Sequence, residues 1–256
     1  MPHIALDLGG TKLASALFTD DGEILHRESV PLSGRAGQAV GTLILDQIRA
    51  LQQRSARKPS SRRPQAAAVG VAVPGIYRAT TGTVWAPNIP GWDDYPLLDE
   101  LRANVEAGTR VAIDSDRAAY ILGESWRGSA RGARDALFIA VGTGIGVGIL
   151  ADGQVLRGHA GIAGAVGWLA LQRPFRAEYV SCGCFEHHAS GPGLVKVARE
   201  LIDQDPSYRG ELRQTMTDIR DPTTADVFAA YQRSDPIATR SSMTRSSCGG
   251  WPPPTS

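Results

Sequence analysis

The sequence predicts an α/β protein with two lobes in one chain. Apolar strand runs fall in two sets, each followed by helical segments. Two glycine-rich turns, one in each set, directly follow an apolar strand. A composition of 42% hydrophobic and 21% charged residues over 256 positions is that of a globular chain able to bury such cores.

Residues 4–6 form a short apolar strand that runs into the Gly9-Gly10 turn. Residues 13–18 alternate as a second strand and residues 24–32 supply a third, with Asp21-Gly22 as the hairpin turn. Leu43, Ile44, Ile48 and Leu51 recur at helical spacing, which predicts a helix over 39–52. Segment 54–64 (RSARKPSSRRP) reads as a solvated basic loop, with a phosphate or nucleic-acid patch as the alternative. Residues 66–73 are an unbroken apolar run, as expected of a buried central strand, and Pro74-Gly75 ends it. A hairpin around Thr81-Gly82, a helix over 97–105 and a strand over 111–113 follow.

Ser115 or Asp114 is placed to cap a helix over 116–124. Residues 137–141 read as a buried strand, and 142–150 as a glycine-studded strand or turn. Gly153 opens a further hairpin, and 190–201 and 224–231 read as helices. Residues 239–256 lack periodicity and carry three consecutive prolines, so this tail is expected to be disordered. The expected organisation is a first lobe over 1–115, a second over 116–238, and the tail.

The formal net charge of +1 gives no global attraction for nucleic acid or an acidic membrane. The opening MPHIALDLGG carries no signal-peptide pattern, and no apolar run is long enough to span a membrane. Three cysteines, Cys182, Cys184 and Cys248, are too few and odd in number for a disulfide scaffold. A reducing, cytoplasmic location follows as the expectation.

The two turns carry the chemistry. The first reads Asp7-Leu8-Gly9-Gly10-Thr11-Lys12 and the second Gly142-Thr143-Gly144-Ile145-Gly146-Val147-Gly148. Glycines let a backbone approach a phosphate so that successive N–H groups face its oxygens, and threonine hydroxyls add donors. Neither segment fits the P-loop or the dinucleotide fingerprint. One such turn alone reads as a tight hairpin. Two, each with a threonine and one preceded by Asp7, point to a triphosphate, with Asp7 holding a hydrated Mg²⁺.

Taken in order, DLGGTK, VGVAVPG (69–75), APNIPGW (86–92), Asp116 with LGE (122–124), GTGIGVG and GCFE resemble the ROK family of sugar kinases and sugar-responsive repressors. The resemblance covers roughly residues 4–235. It implies the actin-like, ribonuclease-H-like ATPase fold, with the active site in an interlobe cleft. It further implies that Asp116 is the catalytic base, and that Asn88, Ser115, Glu186 and Gly75 surround the sugar. Gly9, Gly10, Thr11, Lys12, Gly142, Thr143 and Gly144 would then line ATP, with Asp7 on Mg²⁺ through water.

The sequence departs from the family in five places. Ser115 replaces an asparagine before the base, a mild change because a hydroxyl still bonds. Ala165 replaces a glutamate that grips sugar hydroxyls, a loss of about 1.5–3 kcal/mol. Trp168 replaces a histidine that ligates zinc; packing is its expected role, with stacking on a sugar ring as the alternative. Of the three zinc cysteines only Cys184 aligns, with Ala177 and Tyr179 in the other places, so no zinc is expected. The alternative zinc set is Cys182, Cys184, His187 and His188. Finally, the resemblance stops near residue 238. The family continues with helices and a strand bearing a Gly-Gly-Gly turn, so the second lobe is expected to be incomplete, from a truncated or frameshifted reading frame.

The leading functional expectation is ATP-dependent phosphorylation of a hexose or hexose derivative. The alternative is an impaired relative that binds sugar or nucleotide without turnover. A repressor would need a DNA-binding segment ahead of the first strand. The expected partner is a small sugar, with no nucleic acid and no membrane. Dimers and tetramers are frequent in the family, which makes a homo-oligomer a candidate.

Overall fold

A computed structural model describes residues 2–56, 66–217 and 222–249. Most of the basic segment 54–64 lies outside these residues. The chain divides into two compact units. One takes the chain up to Ala136 together with Ile149–Ile162; the other takes Leu137–Gly148 and the chain from Ala163 on.

The first unit opens with β1 (His3–Leu8), β2 (Lys12–Phe18) and β3 (Ile24–Pro31), followed by helix α1 (Gln38–Ala56). Next come β4 (Ala68–Val73), the hairpin of β5 (Ile76–Arg78) and β6 (Thr83–Trp85), and helix α2 (Leu97–Asn104). Strand β7 (Arg110–Ser115) then leads directly into α3 (Asp116–Arg127). Five strands form one sheet in the order β3-β2-β1-β4-β7. The β1–β2 and β2–β3 pairs are antiparallel, whereas β1–β4 and β4–β7 are parallel.

Alternation explains the sheet. Ile4, Leu6 and Leu8 of β1 and Val69, Val71 and Val73 of β4 point to one buried side. They share a core with Ile44, Ile48 and Leu51 of α1 and with Leu97 and Leu101 of α2. Burying each such side chain contributes about 1.5–3 kcal/mol.

The expected lobe boundary fell between residues 115 and 116, but the first unit extends past it. Ser115 both ends β7 and caps α3, its Oγ accepting the Ala118 N–H at 3.2 Å, so no linker separates the two elements.

Strands β8 (Ala136–Val141), β9 (Ile145–Ala151) and β10 (Gln154–Val155) make a three-stranded sheet ordered β10-β9-β8. β8 was expected to be buried, yet Leu137 is 65% exposed. It is an end strand of its sheet, and an apolar run alone does not distinguish an end strand from a central one.

Beyond a 3₁₀ turn at Val166–Trp168, the second unit is helical. Its helices are α4 (Tyr179–Cys182), α5 (Cys184–Ala189), α6 (Gly191–Gln204), α7 (Glu211–Thr217), α8 (Thr224–Gln232) and α9 (Pro236–Gly249). Ile202, Leu212, Val227 and Ile237 lie in one core. Thr223 and Asp226 form a capping box on α8.

Helix α9 corrects the expectation of a disordered tail from residue 239. Asp235 Oδ1 accepts the N–H groups of Ile237 and Ala238 at 2.9 and 3.0 Å, and Pro236 occupies the first helical position. Ser241, fully buried, donates to the Leu194 carbonyl at 2.9 Å, so small side chains let α9 approach α6 closely. Residues 250–256 lie outside the described part. Among the described residues no helix is long and apolar enough to cross a membrane.

Candidate active site

In the first unit, β1 delivers Asp7 to the start of the first glycine turn. Gly9 N–H closes that turn on the Lys12 carbonyl at 2.9 Å, and Leu32 N–H binds the Thr11 carbonyl at 2.8 Å. Gly10 and Thr11 are exposed, and among the described residues their own N–H groups donate to no protein acceptor. Such a pair of free amides suits an anion.

Asn88 stands over this turn: a Cβ on Gly10 would lie 3.4 Å from the Asn88 Cβ. Its own loop is fixed by Ala86 N–H to the Trp92 carbonyl at 2.8 Å. Trp92, only 1% exposed, stacks on Tyr95 at 4.3 Å and donates its indole N–H to the Gly37 carbonyl at 3.0 Å. Gly75 is required sterically, because a Cβ there would overlap the Trp85 carbonyl oxygen and lie 2.9 Å from the Ala86 Cα.

Asp116 is the first residue of α3, half-buried, with Oδ1 accepting the Arg117 N–H at 2.8 Å. Burial pushes its carboxyl above the usual range; the Arg117 N–H and guanidinium oppose this, and the Asp7 charge adds to it. Burial by surrounding protein also raises Asp7, against the pull of Lys12, although solvent still reaches its carboxylate. Tyr120 is pushed up to about 12 by burial and then by the charges of Asp7 and Asp116. Two carboxylates and a phenol of the first unit therefore share one electrostatic neighbourhood. The Ser115 hydroxyl is buried and engaged as the helix cap.

The second unit holds the other glycine turn. Gly142 N–H bonds the Gly144 carbonyl at 2.9 Å, and Gly191 N–H at the start of α6 bonds the Gly142 carbonyl at 2.9 Å. Gly142 and Thr143 are exposed. Glu186 accepts the Ile145 N–H at 2.9 Å. A Cβ on either Gly144 or Gly167 would come within 2.8 Å of Glu186 Oε2. Burial raises this carboxyl, opposed by the Ile145 N–H and by Lys196. The carboxylate thus braces the turn from within its own unit. Trp168, expected to pack, is 53% exposed.

The residues around Cys184 do not fit the zinc that the resemblance implies. A closed zinc site takes four thiolate or imidazole ligands. Here Ala177 and Tyr179 supply none, and among the described residues no three His, Cys, Asp or Glu side chains are grouped to hold a metal. The Tyr179 hydroxyl instead bonds His188 Nε2 at 2.8 Å, and Arg176 pairs with Glu200 at 2.9 Å. The rings of Tyr179, His187 and His188 meet edge to face. Burial pushes both histidines below their usual value.

Two residues escaped the sequence reading. Arg117 follows Asp116 directly, and its guanidinium donates to the Gly75 and Gly161 carbonyls, each at 3.3 Å. Tyr120 lies four residues after Asp116, one turn along the same helix face; that spacing was the available signal.

Known proteins resemble this chain in sequence and in fold. The chain is 33% identical over 241 residues to a glucokinase of Halalkalibacterium halodurans, covering 92% of this chain and 70% of that protein. It is 32% identical over 206 residues to the xylose repressor of Caldicellulosiruptor bescii, covering 78% of this chain and 49% of that one. A ROK family glucokinase from Streptomyces griseus, solved with glucose and AMPPNP, superposes with a TM-score of 0.71 at 25% identity, over 96% of this chain and 76% of its own. The fold is accordingly the actin-like ATPase fold of ROK sugar kinases. With residues 3–245 matching the family pattern as well, the chain belongs to the ROK family.

Proposed function

We propose that this protein transfers the γ-phosphoryl group of ATP to a hydroxyl of a hexose or hexose derivative, with Asp116 as general base. The observation that carries the reading is the shared neighbourhood of Asp7, Asp116 and the Gly9-Gly10-Thr11 turn, closed by Asn88. Phosphoryl transfer asks little of a protein beyond positioning and charge neutralisation. The free amides of Gly10 and Thr11 are donors for phosphate oxygens, and the Gly142-Thr143-Gly144 turn offers a similar surface.

Asp116 needs only hydrogen-bond reach to the sugar hydroxyl, whose proton it takes as the oxygen attacks phosphorus and ADP leaves. An upward shift strengthens it as a base. Asp7, open to solvent at the head of the turn, is the residue to hold Mg²⁺ through water, and the ion would neutralise phosphate charge. Asn88, Gly75, Ser115 and Glu186 are the proposed sugar-side residues. A cytoplasmic setting, where ATP is plentiful, suits this chemistry.

A second reading has its own support. Ala165 and the exposed Trp168 replace polar groups of the family pattern, and one relative is a repressor, so sugar binding without turnover is the alternative. Incubation with ATP, Mg²⁺ and a hexose panel, following ADP, separates the two. Sugar-dependent ADP release that vanishes in Asp116→Ala supports the kinase. Sugar binding by calorimetry with no ADP release supports the binder and refutes the kinase.

A further inference from the structure

We propose that Arg117 is the positioning residue of this site: its guanidinium ties the Pro74-Gly75 turn and the Gly161 loop to the head of α3 and thereby fixes the Asp116 carboxylate. The proposal rests on Asp116 being the general base.

Two segments of the first unit meet the Arg117 side chain at a third, the head of α3. Arg117 donates to the Gly75 carbonyl and to the Gly161 carbonyl, each at 3.3 Å, while its backbone N–H holds Asp116 Oδ1 at 2.8 Å. None of the three segments has slack. Gly75 is pressed against the Trp85–Ala86 backbone, Gly161 has a positive φ and sits against Ile76, and Ser115 pins the first turn of α3. A single guanidinium nitrogen, Nη2, meets both carbonyls, held there by the rigid plane of the group and one atom beyond the reach of a lysine ammonium.

Stability alone does not account for this arginine. Among the described residues its buried Nε has no partner, its two carbonyl bonds are long, and burial works against its charge. An apolar side chain would pack the same space at less cost. What the guanidinium adds is a positive charge and a fixed geometry next to Asp116.

The charges around that carboxylate leave it dependent on Arg117. Asp7 opposes its ionisation and is itself eased by Lys12, and Tyr120 stays a neutral phenol near both carboxylates. Asp114, which also feels Arg117, is paired with Arg157 at 2.6 Å. Among the described residues, Arg117 is the cation that acts on Asp116.

The test compares wild type, Arg117→Gln, Arg117→Lys and Asp116→Asn. Titration of ¹³C-labelled aspartate carboxyls by NMR, assigned with Asp116→Asn, runs beside pH profiles of sugar-dependent ADP release. In Arg117→Gln the Asp116 midpoint and the acidic limb of kcat/KM move up in pH, and kcat falls roughly tenfold with KM for ATP little changed. Arg117→Lys restores the limb through its charge but recovers only part of kcat, because the shorter, freely rotating ammonium falls short of the position where Nη2 meets both carbonyls. An unmoved midpoint in Arg117→Gln, or an Arg117→Lys enzyme with full kcat, overturns the proposal. If Arg117→Gln does not fold, the Arg117→Lys kcat decides. The base reading fails separately, if Asp116→Asn turns over like wild type; the NMR midpoint reports on Arg117 even in a chain that does not turn over.

Discussion

Replacing Gly75 by alanine should destabilise the first unit far more than the same change five residues earlier. The added Cβ would overlap the Trp85 carbonyl oxygen and lie 2.9 Å from the Ala86 Cα. Both obstacles are backbone, so no rotamer change relieves them. Overpacking costs about 1–3 kcal/mol where side chains yield, and here the upper end applies. For a chain of this size each kcal/mol lowers Tm by about 2–4 °C, so a drop of roughly 6–12 °C is expected. Gly70, in the middle of β4, has open space where its Cβ would stand. Gly70→Ala should therefore change stability by less than about 1 kcal/mol, and stabilise if anything by restricting the unfolded chain. Thermal melts followed by far-UV circular dichroism compare the two variants directly. The turn also carries the carbonyl bound by Arg117, so Gly75→Ala should lose turnover before it melts. If the two variants melt within about a degree of each other, the steric reasoning is wrong.

Asp116→Asn should lower kcat by about 10²–10⁴-fold with small changes in KM, measured by coupled ADP release. Because the base works ionised and its carboxyl is raised by burial, wild-type kcat/KM should fall with acid at a pH above the ordinary 3.8 of aspartate; a limb below 3.8 contradicts that. EDTA should leave the melting curve unchanged and the purified protein should carry substoichiometric zinc by elemental analysis, since the Tyr179–His188 bond stands where metal ligands would. Tyr179→Phe should cost about 1–3 kcal/mol in urea melts by leaving a buried His188 nitrogen without its partner. His187 and His188 are depressed by burial, so the unfolded chain binds more protons; the stability they protect is present above their ordinary 6.5 and is lost as pH falls through it, visible as a falling urea midpoint.

Much of the fold could be read where one pattern sufficed. Alternation placed β2, apolar runs placed β1 and β4, and a helical repeat placed α1, because each of them meets a single large core. The second unit resisted for a physical reason. Helices α4, α5 and α7 span four, six and seven residues, too few turns for a period to register. In α9 the polar Ser241 is buried against α6, and nothing local marks it as interior. Its start signal, Asp235 followed by Pro236, lies in the sequence, but the residues after it carry no apolar period that would extend it into a helix.

The candidate site divides in the same way. Asp7, Asn88 and Asp116 could be named because each lies in a short segment whose residue types have few other uses together. Arg117 could not, since an arginine next to a helix cap reads as a surface charge until the carbonyls it reaches are known, and these lie 42 and 44 residues away in sequence. Glu186 shows the opposite case. Sequence marked it as a polar residue for sugar, while in its own unit it is bonded to the Ile145 amide and flanked by two glycines that leave room for its oxygen. Those roles are compatible, because a carboxylate has two oxygens and about four acceptor sites, and one amide uses one of them. A glutamate held on one oxygen presents the other in a fixed direction, which a freely rotating side chain would not do. The glycines at 144 and 167 leave the room that this carboxylate occupies, and a side chain at either position would disturb Glu186.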